Sequence, residues 1–148
     1  MKYKTERISI DQINECVNVF ISVFSSVPWS ETWSKEKAFA RLCDIYNIKR
    51  SICLCCKLED KIVGALFGYL QEWHDGYHYE IREIFVLKEH QNAGCGSAIL
   101  DELERELSVK RPLKIILQTM RKQDTLLFYN KKGFSINDDE IVLFKNLI

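Results

Sequence analysis

The sequence predicts an α/β fold in which a mixed, mostly antiparallel central sheet carries helices on both of its faces. Two stretches with helical spacing of apolar residues follow a short first strand, and three extended stretches separated by turn residues come next. A helix, a strand, a second helix and a last extended stretch complete the chain. This order of elements is typical of a sheet covered by helices on each side.

The first part of the chain contains the two opening helices. Residues 3–8 form a short strand, and Ser9 with Gln12 is a capping-box pattern that opens the first helix. Pro28 ends any continuation of that helix, and Ser34 caps the second helix. Apolar residues three and four apart give each helix one buried face. These residues are Ile13, Val17, Phe20, Ile21 and Phe24 in the first helix and Phe39, Leu42, Cys43 and Tyr46 in the second.

The middle of the chain reads as a meander. Strands at 51–58 and 61–73 are joined by a turn at Glu59–Asp60, and a turn at 74–76 leads to a third strand at 77–87. A helix at about 96–108 follows, with Ile99, Leu103 and Leu107 facing inward, then a strand at 113–119 and a helix at 124–132 that Gly133 ends. The last extended stretch, EIVLFKNLI, predicts a terminal strand that either completes the sheet or pairs with a second copy as a homodimer.

Composition excludes several classes of protein. The 148 residues fit a single domain, 1–148, and the 21 basic side chains equal the 21 acidic ones, which argues against nucleic acid as a partner. No apolar run has the length of a secretory signal or a membrane span, so we expect a cytoplasmic protein without a membrane partner. Three of the six cysteines crowd one predicted strand and two others fall on predicted helices, which favours reduced thiols and no metal site.

The stretch HQNAGCGSAIL, residues 90–100, places Gly94 and Gly96 directly before a predicted helix. Glycines let consecutive backbone N–H groups turn toward one anion, and a helix N-terminus adds partial positive charge. No Gly-Lys-Ser/Thr triplet follows, and Ile99 stands where a dinucleotide fingerprint has its third glycine. The spacing alone is therefore compatible with either an ordinary helix start or a phosphate-binding loop.

Two motifs together indicate a family. The stretch Gln91–Gly96 matches the signature Q/R-x-x-G-x-G/A and follows an apolar strand in EIFVLKEHQNAGCGSAIL. Downstream, DTLLFYNKKGF has a tyrosine-x-lysine-x-glycine-phenylalanine ending on a helix. In this order the two motifs resemble those of the GNAT family of N-acetyltransferases, and the resemblance covers most of the chain.

The resemblance implies acetyl-CoA as cosubstrate. The strand backbone at Phe85, Val86 and Leu87 would pair with the pantetheine arm, and the Val86 amide would polarise the thioester carbonyl. Many relatives carry an asparagine seven residues before the tyrosine, where this chain has Lys122. The backbone amides that would hold the pyrophosphate are those of Gln91, Asn92, Ala93, Gly94, Cys95, Gly96 and Ser97.

Acetyl transfer to an amine needs a base and an acid. The alkylammonium, with a pKa near ~10.4, must lose a proton, and the departing thiolate benefits from a proton donor. Tyr129 matches the family tyrosine that donates to the CoA sulfur, although an amphipathic helix also accommodates a tyrosine simply as a core residue.

Glu83 is the candidate base, acting directly or through a water. Strand alternation puts it in an apolar stripe with Tyr79, Ile81, Phe85 and Leu87, where burial should raise its pKa.

The acceptor side is less specific. The stretches VFSSVPWSETW, LQEW and EIFV resemble a bacterial subgroup similar to aminoglycoside 6'-N-acetyltransferases. Trp29 and Trp33, with Glu72 and Trp73, are the candidate acceptor-binding residues, and acidic neighbours such as Glu31 and Asp75 would attract a polycation. Alternatively, the two tryptophans only pack the helix loop against the sheet.

The leading hypothesis from the sequence is an N-acetyltransferase that acts by direct attack of a small-molecule amine, such as an aminoglycoside or other polyamine. The alternatives are acetylation of a protein or peptide amine, and an acyl-CoA sensor without turnover. No covalent intermediate is expected, since no cysteine has a histidine close by in sequence.

Overall fold

A five-stranded sheet is the main element of a computed structural model of the protein, which describes residues 2–148. The strands follow the order β1-β2-β3-β4-β5, and all neighbouring pairs are antiparallel except β4 and β5, which are parallel. This arrangement confirms the predicted mixed, mostly antiparallel sheet. The strands are β1 (Lys4–Arg7), β2 (Leu54–Leu58), β3 (Lys61–Trp73), β4 (Gly76–Val86) and β5 (Lys114–Leu117).

The helices match the predicted positions within a few residues. A 3-10 turn at Ile10–Gln12 leads into α1, and a second 3-10 turn at Lys88–His90 precedes α3. The amide of Ser9 donates to Oε1 of Gln12 at 2.9 Å, as the capping-box pattern predicts. The helices are α1 (Ile13–Phe24), α2 (Lys35–Tyr46), α3 (Cys95–Leu107) and α4 (Gln123–Lys131).

Helices pack on both faces of the sheet. The faces of α1 and α2 form one core with alternate residues of the strands, among them Cys55, Ala65 and Phe85. On the opposite face, α3 buries Ile99, Leu103 and Leu107, as predicted. The predicted face of α2 is partly wrong. Leu42 is buried as predicted, but Phe39 is 41% exposed, and the helix buries Ala38 and Ile45 as well.

The chain divides into two compact units, one that ends at Gln118 and one of Thr119–Ile148. The second unit contains α4, and Gly133 ends this helix with a φ of 92°.

The predicted terminal strand is wrong, because residues 140–148 have no regular secondary structure and pair with no described strand. Ile141 and Phe144 are 81% and 86% exposed. Apolar composition favours an extended chain, but a strand forms only where a partner completes its hydrogen bonds.

All six cysteines are free thiols. Within residues 2–148, no cluster of His, Cys, Asp and Glu side chains has the arrangement of a metal site. The same residues include no helix that is both long and apolar enough to cross a bilayer.

Candidate active site

The glycine loop turns the chain from the end of β4 into α3. Asn92 and Gly94 adopt left-handed backbone conformations, with φ of 60° and 97°, and Gly94 is the N-cap of α3. A Cβ added to Gly94 would have no described atom within 4 Å, so the space beside it is open. The first N–H groups of a helix have no partner inside the helix, and they carry its partial positive charge. The loop therefore offers an anion an accessible, positively polarised backbone.

The loop is tied to the end of β4 by Gln91. Its Nε2 donates to the carbonyl oxygen of Val86 at 3.0 Å. The amide of Leu87 donates to the carbonyl of Val63 in the direction of β3, at 2.8 Å. Because successive residues of a strand direct their N–H groups to opposite edges, the Val86 N–H points away from β3. Within residues 2–148, β5 pairs with β4 only along His78–Ile81, so this edge of β4 is open to strand pairing at Val86.

The start of α3 sits directly on β3 through Cys95. Its Sγ would lie 2.9 Å from a Cβ placed on Gly64, so this close approach requires a glycine. Cys56 is the pairing partner of Gly64 on β2. A hydrogen bond with Cys56, followed by burial, raises the pKa of the Cys95 thiol. This side chain fixes the loop and is a poor nucleophile.

A β-bulge changes which face of the sheet Glu83 occupies. In the β3–β4 register, Phe67 pairs with Glu83 but Gly68 already pairs with Ile81, so Arg82 is an extra residue. Paired residues share a face, and Phe67 and Gly68 lie on opposite faces. Glu83 and Ile81 therefore lie on opposite faces of the sheet.

The single stripe predicted from Tyr79 to Leu87 is wrong for this reason. Before the bulge, Tyr79 and Ile81 share one face. After it, Glu83 and Phe85 share the face that packs against α1 and α2, where Leu87 also contacts the core. Glu83 nevertheless lies on an apolar face beside Phe67 and Phe85, as predicted.

Glu83 is the carboxylate with the most distinct environment in this region. Its side chain is 16% exposed, and Oε2 accepts a hydrogen bond from Nε of Arg41 at 3.0 Å. Burial is the largest influence and raises the pKa of Glu83, while the Arg41 guanidinium opposes this effect and Glu31 adds to it. The net result is a carboxylate with increased affinity for a proton. By contrast, Glu80 forms an ion pair with Arg82, at 3.7 Å.

Aromatic rings line the same face beside Glu83. Phe20 contacts Trp33 and Phe85 edge-on, with ring centroids 5.0 and 5.3 Å away, and Phe24 contacts Trp29 at 5.2 Å. Both tryptophans thus pack the α1–α2 loop against the core, yet each keeps part of its surface exposed.

An acidic side chain adjoins this aromatic cluster. The indole Nε1 of Trp33 donates to Oε1 of Glu31 at 2.8 Å. Since Glu31 also acts on the pKa of Glu83, the loop brings a second carboxylate to the neighbourhood of the candidate base.

Glu72 and Trp73 lie at the end of β3, beside the turn that joins β3 to β4. They are five and six residues along β3 from Phe67, the partner of Glu83. At ~3.3 Å per residue this corresponds to roughly 17–20 Å. Trp73 stacks on His78 at 5.4 Å, and His78 also bonds Asp75 at 3.1 Å. The structure brings Trp29 and Trp33 close to Glu83 but not Glu72 and Trp73.

Tyr129 belongs to the second unit and is half-buried there on α4. Its ring packs edge-on against Phe128 and Phe134, with centroids at 5.1 and 5.4 Å. Burial raises the pKa of Tyr129 to about 12. The phenol is therefore protonated at neutral pH and able to donate. Lys122, at the position of the family asparagine, is exposed at the N-cap of α4.

Sequence reasoning missed Arg41. The residue lies three positions after buried Ala38 and four before buried Ile45, so it is on the face of α2 that packs against the core. A charged residue at such a position was the available signal, but only the tertiary structure shows that its partner is Glu83, 42 residues away.

The protein-family model of the acetyltransferase (GNAT) domain matches residues 49–136. The chain belongs to the GNAT acetyltransferase family. As a member it is an acyl-CoA-dependent N-acetyltransferase, and the family normally uses acetyl-CoA. Among curated protein sequences, none matches this chain significantly.

Solved structures share the fold at low sequence identity. A transcriptional regulator from Bacillus halodurans C-125 has a TM-score of 0.79 at 16% identity, covering 97% of this chain and 100% of that one. An aminoglycoside acetyltransferase from an uncultured soil metagenomic sample, in complex with sisomicin, has a TM-score of 0.73 at 19% identity, covering 99% and 96%. Glucosamine-6-phosphate N-acetyltransferase from Arabidopsis thaliana has a TM-score of 0.72 at 16% identity, covering 100% of both chains.

Proposed function

We propose that this GNAT protein transfers an acetyl group from acetyl-CoA to a primary amine of a small molecule, by direct attack in a ternary complex. The observation that carries the proposal is the open edge of β4 beside the polarised start of α3, joined by the hydrogen bond from Gln91 to Val86. This arrangement offers backbone donors to an extended ligand that ends in an anion.

In this proposal the amides of residues 91–97 hold the pyrophosphate, and the backbone of Phe85, Val86 and Leu87 pairs with the pantetheine arm. The Val86 N–H, directed away from β3, donates to the thioester carbonyl and stabilises the negative charge that develops on its oxygen. Acetyl-CoA supplies the acetyl thioester itself.

The proton transfers are assigned to Glu83 and Tyr129. Glu83, whose pKa burial raises, accepts the proton of the substrate ammonium directly or through a water. The neutral amine forms the new C–N bond as the C–S bond breaks, and Tyr129 donates a proton to the departing sulfur. The new amide nitrogen then loses its extra proton to the Tyr129 phenolate or to solvent, and Glu83 releases its proton to solvent. Direct attack is supported by the burial of Cys95, whose thiol is unsuited to carry the acetyl group.

The acceptor is proposed to bind against Trp29 and Trp33, with Glu31 attracting its positive charge. Structural neighbours that are aminoglycoside acetyltransferases support a polyamine or aminoglycoside, and the 6'-amino position is the finer proposal. Glu72 and Trp73 would contact only an acceptor long enough to reach the hairpin end. A single domain over 1–148, a bacterial cytoplasmic location and a homodimer stay predictions.

The test is a screen of amines that follows release of free CoA thiol, with products identified by mass spectrometry. We expect transfer to at least one small polyamine or aminoglycoside. Transfer only to peptide or protein amines would overturn the small-molecule proposal. If acetyl-CoA binds but no amine releases thiol, the chain is a sensor and the catalytic proposal fails.

A further inference from the structure

The ion pair between Arg41 and Glu83 joins α2 to β4 at the candidate base. The two side chains are 33% and 16% exposed, so the pair is shielded from solvent more than a surface salt bridge is. The proposed mechanism does not use the arginine. Its position directly on the candidate base raises the question of what it contributes.

The helix holds Arg41 in this position. Ala38 and Ile45, which flank it at helical spacing on the same face, are 0% and 2% exposed. Packing of these two residues against the core fixes the start of the Arg41 side chain, and the planar guanidinium then donates in a defined direction. The bond engages Oε2 of Glu83 and leaves Oε1 for a second donor.

Charges from three elements act on Glu83. Arg41 comes from α2, Glu31 from the loop before α2, and Arg82 from β4 itself. Among these three charges, Arg41 has the largest effect on the pKa of Glu83. It opposes the effect of burial, which favours the protonated acid. A base that is protonated at the working pH cannot accept the proton of an ammonium group.

We propose that Arg41 is a positioning residue for the candidate base, which its guanidinium orients and keeps ionised while the amine is bound. The inference rests on the proposed function, because it requires Glu83 to act as the base. Arg41 itself touches neither the acetyl group nor the amine in this scheme.

The experiment compares wild type, Arg41→Ala, Arg41→Lys and the control Arg105→Ala, using the best amine from the screen. Arg105 is a suitable control because it pairs with Glu102 on the exposed side of α3, at 2.6 Å. The readouts are the pH profile of kcat/KM and a carbon-13 NMR titration of the Glu83 carboxyl, assigned with Glu83→Gln.

Loss of the positive charge favours the protonated acid, so Arg41→Ala should move both the acidic limb of kcat/KM and the Glu83 titration to higher pH. Arg41→Lys should show little of either shift, since lysine keeps the positive charge. Arg105→Ala should leave both readouts at their wild-type values. Circular dichroism and thermal unfolding establish that each variant is folded.

Two results overturn the inference in distinguishable ways. If wild type transfers acetyl groups but Arg41→Ala keeps the wild-type pH profile, Arg41 is only structural while the proposed function stands. If wild type transfers no acetyl group to any amine, the proposed function and the inference fail together. Matching shifts in both readouts, reversed by lysine, support the inference.

Discussion

The carboxamide of Gln91 donates a hydrogen bond of 3.0 Å to the carbonyl oxygen of Val86. This contact joins the glycine loop to the last residue of β4, at the end of the open strand edge. The two backbone segments proposed to bind acetyl-CoA are therefore held by each other before the ligand arrives. Preorganisation of this kind reduces the entropy that a binding site loses when it is occupied.

Replacement of Gln91 by alanine should weaken acetyl-CoA binding without unfolding the protein. The variant loses one hydrogen bond worth about 1 kcal/mol, which corresponds to roughly fivefold in Kd. Isothermal titration calorimetry measures the change. Gln71→Ala is the matched control, because Gln71 bonds Glu80 near the turn between β3 and β4, away from the glycine loop. Equal Kd values for wild type and Gln91→Ala would contradict the role given to this contact.

Gly64→Ala should destabilise the fold. The added Cβ would lie 2.9 Å from Sγ of Cys95 and 3.1 Å from the carbonyl oxygen of Phe85, and overpacking of this kind costs about 1–3 kcal/mol. Urea denaturation measures the loss. In a Cys95→Ala background, Gly64→Ala should cost less stability than it does in the wild type. The sulfur contact is then gone, but the contact with the Phe85 carbonyl oxygen stays. Additive effects would show that the two residues do not interact.

Glu83→Gln should reduce kcat/KM by about a hundredfold or more, the usual contribution of a general base. Because the pKa of Glu83 is raised, the acidic limb of the wild-type profile should lie above the usual range of a glutamate. The rate falls as pH drops through this limb, since the base becomes protonated. A pH profile of wild type and variant checks both points. We expect the acidic limb to be absent in Glu83→Gln. If the limb persists in this variant, it arises from another group.

Tyr129→Phe should lower kcat while the acidic limb stays where it is. The phenol has a pKa of about 12, so it is protonated throughout an assay between pH 6 and about pH 10, and only its removal affects proton donation. Steady-state kinetics measure the effect. A tyrosine at the neighbouring position, as in Phe128→Tyr, is not an equivalent proton donor because its hydroxyl lies elsewhere. A Tyr129→Phe enzyme with wild-type kcat would leave the residue a core tyrosine.

Local patterns in the sequence were sufficient for much of the fold. The bond between Ser9 and Gln12 and the turn at Glu59–Asp60, with φ of 51° and 65°, depend on neighbouring residues alone. The position of the glycine loop before α3 was also predictable from sequence, because its left-handed turns and the helix start depend on consecutive residues. Regular spacing predicted the buried face of α3 for the same reason.

Features that depend on distant contacts were not predictable. The bulge at Arg82 arises from pairing with β3, and no pattern within β4 marks it. The contact between Arg41 and Glu83 requires α2 to be placed on the sheet. The final apolar stretch shows the same limit, because its composition favours a strand but the described structure offers it no partner.

The central claim is that the glycine loop binds the pyrophosphate of acetyl-CoA. Calorimetric titration of Gly94→Asp tests it most directly, with Gly94→Asn as the control of equal size, since both side chains extend into open space at a φ of 97°. Acetyl-CoA and S-acetylpantetheine, which lacks the pyrophosphate, are the two ligands. We expect the aspartate to weaken acetyl-CoA binding far more than the asparagine does, and to leave S-acetylpantetheine unaffected. Equal acetyl-CoA affinity for the two variants would contradict the claim.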